Sequence, residues 1–402
     1  MIKFLRLFDF VSFSFFLIVA ILSWAGSHGD STLSTQGEKQ ILTIVTLILS
    51  LFALFSILKS KKRTSSVVII MPFLIYCSFR YLYLYDVSIC FEPFYFYLMC
   101  LFCFLDSDTK FKVFTYYRKY LVVMGFCGII AILGYITSLF PFEVLPYYLD
   151  IPGTYYINFH FAYFYASETG FRLCGLFNEP GYFGTLLALY LVADGVKLKR
   201  WDNIVMFVAG IFTLSAAFLI LIFVYFVFTR YKSKMMWIVL AVILSLIISV
   251  ANLDFGNQAV NSTIQRFSPS NKEGILNMDN RAEDAFNKFY QSFVMSEDFL
   301  TGMGSGYASK TSFSVSSYKS YVVDYGLIGT ILILGSLFLS AYKFAYSNKL
   351  KVLYIFIFFL SVYQRPFVFA LPYFLALYGG LLYIDYSGTF FQVRLTCFLI
   401  YY

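Results

Sequence analysis

The chain has 402 residues, 60% of them hydrophobic, 22% aromatic and only 13% charged. Soluble domains carry about 25% charged residues, and no soluble core hides this much Phe, Leu, Ile and Tyr, so the bilayer is the expected solvent for most of the chain. The formal net charge of +8 does not point to nucleic acid, because the basic residues sit in short clusters beside apolar runs, as they do in cytoplasmic loops.

The apolar runs are continuous, as in Ile41–Leu58 and Met236–Ala251. Barrel strands would alternate, so helices are expected. The pattern predicts an all-α, polytopic membrane protein of about 12 spans. Spans are placed near residues 8–26, 40–58, 66–85, 91–105, 119–140 and 180–195, then 235–252, 321–342, 351–364 and 367–385. Lys3 and Arg6 ahead of the first run resemble a signal peptide, but no polar mature domain follows, so an anchoring first span is expected. Lys59–Arg63, Lys110–Lys119 and Lys197–Arg200 then fall on one side with the N-terminus, the cytoplasmic side by the positive-inside rule. Cys100 and Cys103 form C-x-x-C inside an apolar run, which favours small interior helix residues over a redox or zinc role.

Ile204–Phe228 has the length of one span, yet Arg230, Lys232 and Lys234 follow it. A single crossing would put that cluster outside. The weak point Thr213-Leu214-Ser215-Ala216-Ala217 instead predicts two short helices that enter and return. Each would cover only about 18–20 Å of a ~30 Å hydrocarbon core, so the pair must thin the bilayer or lie in a protein-lined wedge. One tilted span is the alternative. Both termini are then cytoplasmic, and the membrane domain covers residues 1–402.

Two outer loops remain, near residues 141–179 and 252–320. Loops this long are usually functional or disordered, and neither is low in complexity. The first ends in Phe171-Arg172-Leu173-Cys174-Gly175-Leu176-Phe177-Asn178-Glu179-Pro180-Gly181. Pro180 suits a first helical turn, with Asn178 as a plausible cap just ahead. A helix N-terminus opening outward is an anion site. Arg172 either adds a bidentate fork for a phosphate or pairs with Glu168. Glu179 adds a carboxylate at the same rim. His160 sits among tyrosines as a substrate contact or a packed residue, and the tyrosines fit an interface belt.

The second loop reads as a helical cap. Asn280 and Glu283 resemble a capping box, and Ala285, Phe286, Phe289, Tyr290 and Phe293 recur at helical spacing. Arg281 would oppose the dipole of that helix, so something other than helix stability keeps it. Gly302-Met303-Gly304-Ser305-Gly306 permits a tight turn, and a hydroxyl-rich stretch leads to Asp324-Tyr325-Gly326. Charges near spans are functional candidates or snorkelling ion pairs. Arg80 and Arg365 lie at predicted outer span ends and Arg266 in the second loop.

Arg172-x-x-Gly175-x-Phe177-Asn178-Glu179-Pro180-Gly181 resembles the signature of Wzy-type O-antigen and capsule polymerases and of the related O-antigen ligases. Arg281, Phe299–Gly304 and Asp324–Gly329 resemble the second-loop elements of that superfamily, and the likeness spans roughly residues 120–345. The ligases carry a histidine near the end of the second loop. Here that stretch, Ser314–Tyr321, has none, which favours the polymerase branch.

The resemblance implies a metal-independent glycosyl transfer without cofactor. Two undecaprenyl-pyrophosphate-linked repeats meet at the outer face of the inner membrane. The growing chain leaves its lipid carrier for a sugar hydroxyl of the incoming repeat. Arg172 and Arg281 would bind the pyrophosphate, with Asn178, Arg80, Arg266, Arg365 and His160 as further contacts. Glu179, then Asp324, would serve as base. Membrane lipid, a flippase and a chain-length regulator are the implied partners. The alternatives are a ligase-like glycosyltransferase and a lipid-linked oligosaccharide flippase, though a flippase usually shows related halves and polar mid-membrane residues. A structural subunit of an envelope complex would leave the arginines unexplained.

Overall fold

The computed structural model describes residues 107–146, 153–167, 170–230, 284–304, 306–310, 317–345, 348–364 and 370–400, together with Phe13, Ser14, Phe16, Ile75 and Tyr76. The chain divides into two compact units. One comprises Met1–Val19, Gln40–Tyr116 and Arg281–Tyr402, and the other Ala20–Lys39 and Tyr117–Asn280. The described residues are mostly helical, and two helices are long and apolar enough to cross a membrane, Ser107–Tyr135 and Lys319–Lys343. The spans predicted at 8–26, 40–58, 66–85, 91–105 and 235–252 lie outside the described residues, apart from the five residues named above.

Helix α1 (Ser107–Thr137) begins in the first unit and continues into the second. It starts well before the predicted 119–140 span, so Lys110, Lys112 and Arg118 are helical rather than loop. Lys112 and Asp108 pair at 3.1 Å one turn apart, an arrangement that supports helix, and Phe111 and Phe114 pack on Tyr383 in the first unit.

The strictly helical expectation fails at residues 141–179, the first predicted loop. Four strands, β1 (Glu143–Pro146), β2 (Tyr155–Asn158), β3 (Tyr163–Ser167) and β4 (Gly170–Gly175), form an antiparallel meander in sequence order. Tyr, Phe and Ile fit a pleated, half-buried surface. One face packs on α1: Phe171 stacks on Tyr135 at 4.8 Å and on Phe164 at 4.4 Å. Gly128 makes room there, since a Cβ on it would come 2.6 Å from the Leu173 side chain. The register puts Tyr156, Tyr165 and Arg172 together on the other face. Cys174, between the Phe164↔Leu173 and Tyr163↔Gly175 pairs, is the extra residue of a bulge.

Helix α2 (Pro180–Ala193) is almost wholly buried. The 204–228 run is two helices, α3 (Trp201–Phe212) and α4 (Ala216–Arg230). The break falls at Thr213–Ser215, inside the stretch predicted to be weak. Asn203, at the start of α3, meets Asp194 at the end of α2. At the other end, a Cβ on Gly184 of α2 would touch Thr213 and Ser215, and Tyr225 of α4 lies beside Gly195. Helix α3 therefore runs against α2 and α4 runs back along it. The turn uses Leu214 in the left-handed region, φ +47°, a conformation that costs a branched residue about 1–2 kcal/mol.

In the first unit, α5 (Asp284–Val294) is the predicted amphipathic helix. Phe286 and Phe293 are buried with Val322 and Val323, while Ala285 faces solvent rather than the apolar side. Short helices α6 (Asp298–Thr301) and α7 (Tyr307–Lys310) follow. Helix α8 (Lys319–Ala345) is broken at Gly326, whose backbone is not helical, and it packs with α9 (Lys349–Gln364) and α10 (Leu371–Ile400). Tyr354 of α9 donates to the Ala376 carbonyl of α10 at 2.6 Å, and Lys351 pairs with Asp385 at 2.5 Å.

Candidate functional site

The segment from β4 into α2 is one rim. Arg172 leaves β4 on the tyrosine face, half-buried. Its Nε donates to the Thr213 carbonyl at 3.1 Å and its Nη2 to the Leu214 carbonyl at 3.4 Å. These carbonyls end α3, where a cation complements the helix dipole. The guanidinium thus holds the strained turn between α3 and α4. Two of its five N–H donors serve these bonds.

After β4 the chain turns at Gly175, φ +66°. A Cβ at that position would come 3.1 Å from the Phe183 ring. Phe177 is fully buried and stacks on Phe183 at 5.0 Å. The cap of α2 is Glu179 rather than Asn178, in extended backbone with Pro180 as the first helical residue and no side-chain cap bond. Pro180 forces this shift, because the residue before a proline is pushed to extended backbone, the conformation a cap needs. Asn178 contributes its carbonyl, which accepts the Tyr156 hydroxyl at 2.7 Å. Tyr156 was hidden among the aromatics of the first loop, and only the strand register shows that it shares a face with Arg172.

His160 lies at the β2–β3 turn with φ +64°. Its backbone N–H donates to Asn158 Oδ1 at 2.6 Å, and its exposed ring is 3.9 Å from Glu143. It is a turn residue, away from Arg172. Burial, and after it the Glu143 charge, pushes the nearby Tyr163 phenol above its ordinary range.

Asp324 belongs to the first unit, Arg172 and Glu179 to the second. The glycine turn and the Asp324-Tyr325-Gly326 segment cross each other. Met303 and Gly304 donate backbone N–H groups to the Val323 and Asp324 carbonyls at 2.8 and 3.1 Å. Gly302 (φ +79°) and Gly326 (φ +70°) are so close that a Cβ on either would collide with the other's backbone nitrogen. Asp324 Oδ1 accepts the Ala308 N–H at 2.9 Å, which pins α7, and the Tyr76 hydroxyl lies within hydrogen-bonding distance of the Thr301 carbonyl (3.0 Å) and the Tyr325 carbonyl (2.5 Å). Asp324 is thus engaged in holding this crossing. Arg80, Arg266, Arg281 and Arg365, and the Asn280–Glu283 capping box, lie outside the described residues.

The opposite end of the α2–α3 pair holds a charge cluster that residue spacing did not reveal. Arg118 of α1 donates to Asp202 Oδ2 at 2.6 Å, Asp194 Oδ2 at 3.1 Å and Asn203 Oδ1 at 2.5 Å. Arg200 pairs with both carboxylates. Arg118, Asp194 and Asn203 are almost fully buried. Burial alone would raise the Asp202 carboxyl, but the hydrogen bonds and charges of Arg118 and Arg200 outweigh it and hold the group at about 2. A carboxylate at each end of a basic loop was the available signal.

The chain matches no family profile, no curated protein and no solved structure.

Proposed function

We propose that this protein is a polysaccharide polymerase of the bacterial inner membrane, with about 12 spans and both termini cytoplasmic. It would join undecaprenyl-pyrophosphate-linked repeats into O-antigen or capsular glycan at the outer face. The observation that carries this reading is the β4–α2 rim, where Arg172, Asn178 and Glu179 stand on one continuous strand-turn-helix beside a tyrosine face. A leaving lipid pyrophosphate needs donors fixed before its charge develops. A guanidinium already held on two carbonyls, next to the N-terminus of a buried helix, has little freedom left to lose. Glu179 at that rim is the general base for the acceptor hydroxyl. Asp324, bound to α7, is a positioning residue in this scheme. The two short helices α3 and α4 form a wedge lined by α2, in keeping with a site where the bilayer is locally thinned.

The test is the length profile of surface glycan in the native host after deletion of the gene, then restoration with wild type, Glu179→Gln, Arg172→Lys or Arg172→Ala. Deletion is expected to leave single-repeat glycan, and the Glu179→Gln and Arg172→Ala proteins, present at wild-type level in the membrane, to leave the ladder missing. Because Arg172 also holds the α3–α4 turn, Arg172→Lys supplies a variant that keeps the charge and loses the fork. Loss of even single-repeat glycan on deletion would favour a flippase or ligase instead.

A further inference from the structure

Lys319 is the first residue of α8. The first turn of α8 contains no acidic residue. The side chain is half-buried, and no carboxylate among the described residues forms an ion pair with it. Its ammonium donates to the neutral amide oxygen of Asn287 on α5 at 2.7 Å. It also lies 5.5 Å from the centroid of the Tyr290 ring, a cation–π contact. Withdrawing a charge from water without a counter-charge is unfavourable, and among the described residues only neutral groups meet this one, so an anion would be favoured beside it.

The surroundings indicate what carries that anion. Tyr318 stacks on Tyr363 of α9, 5.1 Å between centroids and 21° between planes, and Tyr363 is 59% exposed. Tyr290 packs beside Tyr318 over the Phe286–Phe293 core. The Ser317 side chain is buried, and its hydroxyl has no hydrogen-bond partner among the described residues. Flat aromatic faces with polar tips, one unused hydroxyl and one cation suit a ring with apolar C–H faces, hydroxyl edges and a negative group.

We propose that Lys319, Asn287, Tyr290, Tyr318, Tyr363 and Ser317 form a subsite for a saccharide bearing an oxyanion. This deepens the glycan reading above and rests on it. The tyrosines take the sugar faces, and Lys319 takes the charge. That oxyanion is either a carboxylate of an acidic sugar or the pyrophosphate joining the first sugar to its lipid.

The experiment measures how fast an amine-acetylating reagent modifies Lys319 in the full chain in nanodiscs, by mass spectrometry. The probes are sodium pyrophosphate, a galacturonate tetrasaccharide and neutral maltotetraose. At least one charged probe is expected to slow modification of Lys319 by threefold or more, while the exposed Lys288 on the same α5 side is unchanged. Protection by pyrophosphate alone assigns the lipid-linked group, protection by the galacturonate alone assigns a sugar acid, and protection by both supports the shared chemistry. Tyr363→Ala, read by the same protection, and Lys319→Gln, read by isothermal titration of the protecting probe into the nanodiscs, should each weaken binding about tenfold, equivalent to about 1.4 kcal/mol. Equal rates with every probe, equal slowing of Lys288, or protection by maltotetraose alone overturns the proposal. Because binding is read directly, a full-length glycan ladder in the deletion strain would refute the polymerase while leaving this subsite standing.

Discussion

Arg118 and Lys319 both hold a positive charge away from bulk water, and the molecule treats them in different ways. Arg118 is 4% exposed and meets two carboxylates and an amide. Lys319 is half-buried and meets one amide and a ring. The first arrangement ties three helices together and is complete within the chain. The second is met, among the described residues, by neutral groups only. A buried ion pair is weak evidence of net stability, yet breaking one by removing a single partner is severe. The difference in partners therefore predicts a difference in what mutation does: loss of the fold in one place, loss of a ligand in the other.

The largest effect should come from Asp194→Ala, which leaves Arg118 and Arg200 to share the single carboxylate of Asp202. A loss of about 3–5 kcal/mol is expected, seen as a fall in thermal midpoint in detergent or as failure to accumulate. A wild-type midpoint would show that the cluster is not a clamp. Gly326→Ala comes next. The left-handed conformation alone costs about 1–3 kcal/mol, and the added Cβ meets the backbone of Thr301–Gly302. The unfolding midpoint should drop while the α2–α4 hairpin keeps its protection in hydrogen exchange.

Acid should act more gently, through Asp202. Its folded value of about 2 lies below its ordinary 3.8. The stability it contributes is therefore complete above about pH 4 and is lost as pH falls from there toward 2. In a pH series of unfolding midpoints, Asp202→Asn should remove that part of the decline, and an unchanged profile would reject the assignment. The smallest effect is assigned to Lys319→Gln, whose stability should stay within about 0.5 kcal/mol of wild type even as probe binding falls. A large destabilisation there would erase the contrast with Arg118.

What could be read before the structure follows from how each feature is encoded. The α3–α4 hairpin was legible because charge on both flanks demanded an even number of crossings and Thr213-Leu214-Ser215 offered a turn. The β4–α2 rim was legible because Pro180 marks a first helical turn wherever it occurs, although the cap itself moved by one residue to Glu179. The sheet was not legible. Both of its faces are covered by aromatic and aliphatic side chains, so Tyr155–Phe164 shows no alternation of apolar and polar residues. The second carbonyl-held role of Arg172 was hidden for a different reason. Its partners are main-chain oxygens 41 and 42 residues away, and any sequence supplies carbonyls. Lys319 looked like one more polar residue in a serine- and tyrosine-rich loop, and only the helix packed beside it reveals that its partners among the described residues are neutral.

The Tyr76 hydroxyl lies within hydrogen-bonding distance of two carbonyls 225 and 249 residues further along the chain. At roughly 5–20 residues per second of synthesis, about 12–50 seconds separate the emergence of the donor from that of its last acceptor. Over that interval the Tyr76 hydroxyl lacks these two acceptors. The latch also records completion: a chain truncated before Tyr325 never closes it. Closure of this contact therefore waits for synthesis of both glycine-bearing segments.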